Sequence, residues 1–140
     1  PDNAMVIPSI LMKILQKEDP VIIWGDGSAI RDFAYCTDVA WGIILAIHYG
    51  TRGTFVNLGS GEGTSIKTLL ETLNSFIGFN YQFDISKPSG FPKRVMDISR
   101  ARNWLGFSPI TTLKKGLEET WNWLKDNENE YLKRKNYFKL

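Results

Sequence analysis

The sequence predicts a mixed α/β fold, and three observations carry that prediction. Stretches with apolar residues at helical spacing alternate with short runs rich in β-branched and aromatic residues. Glycine and proline punctuate the boundaries between them. The chain has 140 residues, 43% hydrophobic and 23% charged, which suits one globular domain with a buried core.

The elements follow in order. "VIPSILMKILQKED" sets Val6, Ile7, Ile10, Leu11, Ile14 and Leu15 on one stripe, an amphipathic helix with Pro8 in its first turn. "PVIIWG" and "IRDFAY" flank Asp26-Gly27-Ser28 and predict a hairpin or two nearby strands. "TDVAWGIILAIHYG" predicts a helix with Thr37 as N-cap, Asp38 in the positive first turn and Gly50 as its stop. Apolar residues run almost all the way round it, so it is expected to be well buried.

"GTFVNLG" predicts a strand. The strongest helix follows, with Ile66, Leu69, Leu70, Leu73, Phe76 and Ile77 in step, Thr64 or Ser65 as cap and Gly78 as terminator. "NYQFDI" predicts a strand, and the prolines and glycine of "KPSGFPKR" predict a loop. "DISRARNWLG" reads as a short helix capped by Asp97 and closed by Gly106. "TTLKKGLEETWNWLKDN" is the last helix, with Leu113, Leu117, Trp121 and Leu124 inward. These elements predict one domain over 1–126 and a charged, frayed tail over 127–140.

Composition removes several function classes. A net charge of +2 is too small to argue for nucleic acid, and the basic cluster "LKRK" suits a solvated terminus. The single cysteine, Cys36, excludes an internal disulfide, and its apolar neighbours predict a small core residue in a reducing compartment. With His48 as the single histidine, neither a histidine-based triad nor a zinc site can be assembled from this chain. No apolar run reaches bilayer length, and no stretch has the pattern of a signal peptide. The chain opens at Pro1 and its first strong element is already a helix, so a piece of something longer is expected.

Three motifs invite functional readings. "NLGSGEGTS" lies between a strand and a helix, with Asp84 about twenty residues on, like a dinucleotide fingerprint. Its glycines, Gly59, Gly61 and Gly63, are out of register for G-x-G-x-x-G, and "NYQFDI" is too polar for a buried parallel neighbour; a turn plus a helix cap is expected. Tyr131 and Lys135 satisfy Y-x-x-x-K, but within a charged tail that offers no pocket to desolvate them. Of the five tryptophans, Trp24 alone stands at a strand end beside a glycine turn, where its ring could stack on a ligand; Trp104, Trp121 and Trp123 are expected to pack. Arg31 could serve a ligand or pair with Asp32 or Asp38, and Arg94 could be a solvated loop residue.

Taken together, "VIPSILMKIL", "VIIWGDGSAIRDFAYCTDVAWGIILAI", "FVNLGSGEGTSIKTLLETL" and "KPSGFPKRVMDISRARNWLGFSPITTLKKGLEETWNWL" resemble the C-terminal half of an extended short-chain dehydrogenase/reductase. This is the NAD-dependent epimerase/dehydratase family, whose members act on nucleotide sugars, and the resemblance runs over nearly the whole chain in order and spacing. It implies that residues 1–126 form the substrate-binding lobe and that the Rossmann cofactor domain is missing. The family keeps its NAD(P) loop, its Tyr-x-x-x-Lys pair and its Ser/Thr group in the N-terminal half. This chain would therefore carry no catalytic, cofactor-binding or metal-binding residue and would be inactive alone. The implied partners are a nucleotide-diphosphate sugar, the missing cofactor domain and, for the parent, a second copy of itself. The implied compartment is the cytoplasm.

Residue by residue, the resemblance implies that Trp24 packs on the substrate and that Arg31 reaches its diphosphate or sugar. Arg94 in "PKRVMD" matches a second basic contact, Lys13 a basic position on the first helix, and Val6 a backbone contact at that helix's start. The chemistry agrees, since arginine grips a diphosphate with paired, charge-assisted hydrogen bonds. One position departs from the nearest pattern: the histidine usual just before "VIP" is Met5 here, and a thioether cannot supply its hydrogen bond. This leaves the sugar open, with UDP- or dTDP-hexose 4-epimerases and 4,6-dehydratases as alternatives. A free-standing, non-catalytic sugar-nucleotide module is the alternative outside the enzymes.

Overall fold

The computed structural model describes residues 5–50 and 53–133. Helix α1 (Val6–Leu15) leads into strand β1 (Val21–Trp24), and a glycine-rich turn separates β1 from the short β2 (Ile30–Arg31). Helix α2 (Cys36–Tyr49), strand β3 (Thr64–Ser65), helix α3 (Ile66–Ile77) and strand β4 (Tyr81–Asp84) follow. Strand β5 (Lys93–Arg94) and helices α4 (Ser99–Leu105), α5 (Leu113–Asp126) and α6 (Glu128–Lys133) complete the order. The fold is mixed α/β, as the sequence predicts.

The main core is where the helical stripes meet. Ile10 and Leu11 of α1, Val21 and Ile23 of β1, Leu69, Leu70 and Leu73 of α3, and Leu117 and Leu124 of α5 are all buried together. A second, smaller core holds Ala101, Leu105 and Phe107, with Val56, Leu58 and Trp104 packed against it. Caps fall where the sequence puts them on α3, whereas on α4 Ile98 occupies the N-cap without a side-chain cap bond and Asp97 stands one residue before it. The Ser65 hydroxyl accepts from Thr68 N at 3.0 Å, Gly78 ends α3 at φ 74°, and the Asp97 carboxylate accepts from Ser99 N at 2.9 Å. Gly106 closes α4 in the left-handed conformation. On α2 the cap moves: Tyr35 occupies the N-cap and Thr37 lies inside the first turn.

Strand pairing departs from the local reading. β1 and β2 do not form a hairpin: β1 pairs with β4, and β2 lies between β3 and β5 in a separate sheet. β4, read as too polar for a parallel neighbour, pairs with β1 in parallel with Trp24 opposite Asp84. A two-stranded sheet leaves β4 only partly buried, so polar Gln82 and Asp84 are tolerated there. Lys93 and Arg94 of the expected loop form β5, parallel to β2. The expected "GTFVNLG" strand has no ladder partner among the described residues; Val56 and Leu58 pack on the second core instead.

Two burial expectations also fail. Helix α2 is not well buried: Ile47 is 80% exposed, Trp41 55%, Ile44 53% and Ile43 50%. Its packed side is the one bearing Gly42, where a Cβ would come within 2.7 Å of Leu58 Cδ2. Cys36 is exposed at the helix start rather than a core residue. In the segment expected to fray, α6 forms and Tyr131 packs on the main core; Lys135 of the Y-x-x-x-K spacing and the end of "LKRK" lie outside the described residues.

Candidate functional site

A cleft of about 800 Å³ runs between α1 and the cleft-facing side of β1, bounded by β2, Pro88, Ser89 and Arg94. Val6, Lys13, Trp24, Arg31 and Arg94 all line it, although they come from four separate elements. Met5, at the position of the missing histidine, lies at the same wall and is 81% exposed.

Local structure explains how each side chain arrives. Ile10 and Leu11 anchor α1 in the core, and Lys13 reaches across to donate from Nζ to the Ile22 carbonyl at 2.6 Å. Along β1 the period of two buries Val21 and Ile23 and turns Ile22 and Trp24 toward the cleft. Trp24 is 60% exposed, with Lys87 Nζ 5.9 Å from its ring. Beyond it the chain turns through Gly25 and Gly27, both at positive φ; a Cβ on Gly27 would strike the Phe83 ring at 2.5 Å. The Asp26 carboxylate accepts from the Ser28 hydroxyl and amide, which fixes this turn and holds its pKa below the ordinary value.

Arg31 and Arg94 are register partners on parallel strands, so both side chains leave neighbouring backbones at the same level, and both line the cleft. Arg31 donates from Nη1 to the Ile30 and Phe91 carbonyls, both at 2.7 Å. Arg94 lies over the Phe91 ring at 4.3 Å. Neither carboxylate that could have paired with Arg31 does so. Asp32 accepts from Ser60 N, Ser60 Oγ, Gly61 N and Met96 N at 2.6–3.1 Å, and Asp38 accepts from Thr111 N at 3.0 Å. The ion pairs among the described residues are Lys114–Glu118 and Lys115–Glu119, both on α5. Like charges opposite each other on neighbouring strands destabilise a sheet, so this pair suits an anion that is shared between them.

The "NLGSGEG" loop does not fit a dinucleotide. The amides of Ser60 and Gly61, which a pyrophosphate would need, already bind Asp32, and a Cβ on Gly63 would meet Ile30 at 2.8 Å. It works as a turn that fastens β2 and leads into a capped helix. Among the described residues no group of His, Cys, Asp and Glu could hold a metal ion. No helix there is long and apolar enough to cross a membrane.

Reading the sequence missed Asp32 as the fastener of the site, along with Pro88 and Ser89 at its rim. No local signal marks Asp32, because its partners Ser60, Gly61 and Met96 lie 28, 29 and 64 residues away.

Comparison with known proteins agrees with this fold. The family model for the NAD dependent epimerase/dehydratase family matches residues 1–59. The Oryza sativa subsp. japonica protein "Probable GDP-L-fucose synthase 1" is 33% identical over 133 residues, covering 91% of this chain and 40% of the relative. GDP-L-fucose synthase of Escherichia coli K12 is 30% identical over 146 residues, covering 94% of this chain and 45% of the relative. UDP-glucuronic acid 4-epimerase from Bacillus cereus, solved with UDP-glucuronic acid and NAD, superposes with a TM-score of 0.77 at 29% identity. That match covers 87% of this chain and 40% of the other. The chain thus spans roughly two fifths of the length of the relatives it matches. With sequence, fold and cleft in agreement, the chain is similar to part of the NAD-dependent epimerase/dehydratase family of extended short-chain dehydrogenases/reductases.

Proposed function

We propose that this chain is the nucleotide-sugar-binding lobe of an NAD(P)-dependent epimerase/reductase of the GDP-L-fucose synthase kind, an enzyme of GDP-4-keto-6-deoxymannose 3,5-epimerisation and 4-reduction. The observation that carries the reading is the Arg31–Arg94 pair, set in register on the cleft wall with no carboxylate between them. The lobe grips the diphosphate with these two arginines, with Lys13 lining the same cleft, and lays Trp24 against the ligand; its contribution to the reaction is proximity and orientation. Hydride transfer and proton transfer belong to the rest of the parent protein, which brings NAD(P) and the catalytic tyrosine. In this reading the parent is a cytoplasmic homodimer.

The test is calorimetric titration of the full-length protein with GDP, UDP and dTDP, with guanosine as the control. The reading expects at least one diphosphate to bind far more tightly than the nucleoside. Equal, weak binding of all four would remove it. The UDP- or dTDP-hexose reading is kept in view by the 0.77 TM-score to an epimerase solved with UDP-glucuronic acid, and the same titration separates the two.

A free-standing binding module is disfavoured by the bare side of α2, where Trp41, Ile43, Ile44 and Ile47 are all at least half exposed. Such a face suits burial against the cofactor domain. The 140-residue chain purified alone should bind an apolar fluorescent dye strongly and self-associate. Negligible dye binding by a folded monomer would favour the module.

A further inference from the structure

We propose that Phe91 is the positioning residue for the arginine pair: its carbonyl holds Arg31 and its ring holds Arg94, which sets both for an anion. The proposal rests on the nucleotide-sugar reading above. Arg31 donates from Nη1 to the Phe91 carbonyl at 2.7 Å, and the Arg94 guanidinium carbon lies 4.3 Å from the centroid of the Phe91 ring. One residue thus meets both cations. Phe91 itself stays outside the cleft, whose rim on this side is formed by Pro88, Ser89 and Arg94. Its ring is 64% exposed and packs on neither core, so burial does not account for it.

The backbone fixes Phe91 at this point. Ile30 N donates to the Pro92 carbonyl at 2.8 Å, which carries the β2–β5 ladder back to the residue next to Phe91. Gly90, at φ 74°, turns the chain into that ladder. A Cβ on Gly90 would come within 3.3 Å of Arg31 Nη2, so the glycine also leaves the room that the guanidinium uses. Further back, a Cβ on Gly25 would strike Ser89, so this stretch lies close against the glycine turn after β1.

The chemistry of the two contacts gives them their purpose. Like charges level with each other on neighbouring strands repel, and long side chains lose rotamer freedom when a ligand orders them. A carboxylate would hold the arginines but cancel the charge that a diphosphate needs. A carbonyl oxygen and an aromatic face attract a cation without carrying a net charge. Neither arginine forms an ion pair with the described residues, so the pair keeps its charge while Phe91 fixes its geometry. Part of the ordering cost of binding is thereby met before the ligand arrives.

The experiment compares the full-length protein with its Phe91→Leu, Phe91→Tyr, Arg94→Ala and Phe91→Leu/Arg94→Ala variants. Dissociation constants are measured for whichever of GDP, UDP and dTDP binds the wild type most tightly. Leucine keeps the carbonyl but removes the aromatic face, so Phe91→Leu should weaken binding by about two- to fivefold, the range of an exposed cation–π contact. Phe91→Tyr keeps the face and should bind as the wild type does. In the Arg94→Ala background, Phe91→Leu should change nothing further. Melting temperatures of the Phe91 variants should match the wild type, because the ring is exposed. Wild-type affinity in Phe91→Leu, equal losses for leucine and tyrosine, or melting temperature lost along with affinity overturns the positioning role and leaves the nucleotide-sugar reading standing. So does weakening that persists without Arg94, which would mean that the ring touches the ligand itself. No binding of any of the three diphosphates by the wild type overturns both.

Discussion

Replacing Asp32 by alanine should lower the folding stability of this chain by about 2–4 kcal/mol, because it strands several donors at once. Ser60 N, Gly61 N and Met96 N lose their acceptor together, and Ser60 Oγ loses its own. An unsatisfied buried donor costs about 1–3 kcal/mol, and the half-buried setting puts each one here near the lower end. Ser60→Ala removes one hydroxyl, which donates to Asp32 and accepts from Glu62 N at an exposed site, and should cost about 1 kcal/mol. Urea denaturation of both single variants and the double variant gives the coupling directly. A loss for Asp32→Ala no greater than for Ser60→Ala would show that the carboxylate is not the fastener. The consequence reaches the site, since Asp32 ties β2 to the segment just beyond β5 and so holds Arg31 level with Arg94.

This one side chain also shows where local reading stops. Its partners lie 28, 29 and 64 residues away, and no window of sequence contains them all. Helices are a different case: the stripe, the Ser65 cap and the Gly78 stop of α3 are all encoded within its own residues, and all are found. Strands fail in proportion to their dependence on partners. "NYQFDI" is recognised as a strand, but its parallel pairing with β1 is set by α3 crossing between them. Two-residue strands such as β5 are products of register alone. Helix α2 is apolar on nearly every side because its composition answers to a partner surface, and periodicity within the chain cannot say which side that partner takes.

The candidate site divides along the same line. Read from the residues, Trp24 and Arg31 stand out as candidates, one beside a glycine turn and the other in an Arg-Asp step. Val6, Lys13 and Arg94 enter through the resemblance. The structure brings all five to one cleft. The in-register contact of Arg31 with Arg94 joins residues 63 positions apart (94 − 31), which is why neither reads as part of a pair.

That pairing leads to the second large effect. Arg31→Ala should weaken binding of the preferred nucleoside diphosphate by roughly 10- to 150-fold, the range that follows from losing a charged hydrogen-bond partner worth 1.5–3 kcal/mol. Stability should fall by about 1 kcal/mol or less, because the two bonds lost run to the Ile30 and Phe91 carbonyls at a partly exposed site. The contrast between the two readouts decides the role. A structural arginine would lose melting temperature and affinity together, whereas a ligand arginine loses affinity with the fold intact. Arg31→Lys refines the test, since lysine keeps the charge but not the planar fork that grips two oxygens at once. Affinity near that of alanine would mean that geometry is what Arg31 supplies. Affinity near wild type would mean that a point charge beside Arg94 suffices, and the diphosphate would then be held by the pair's combined field rather than by a bidentate grip.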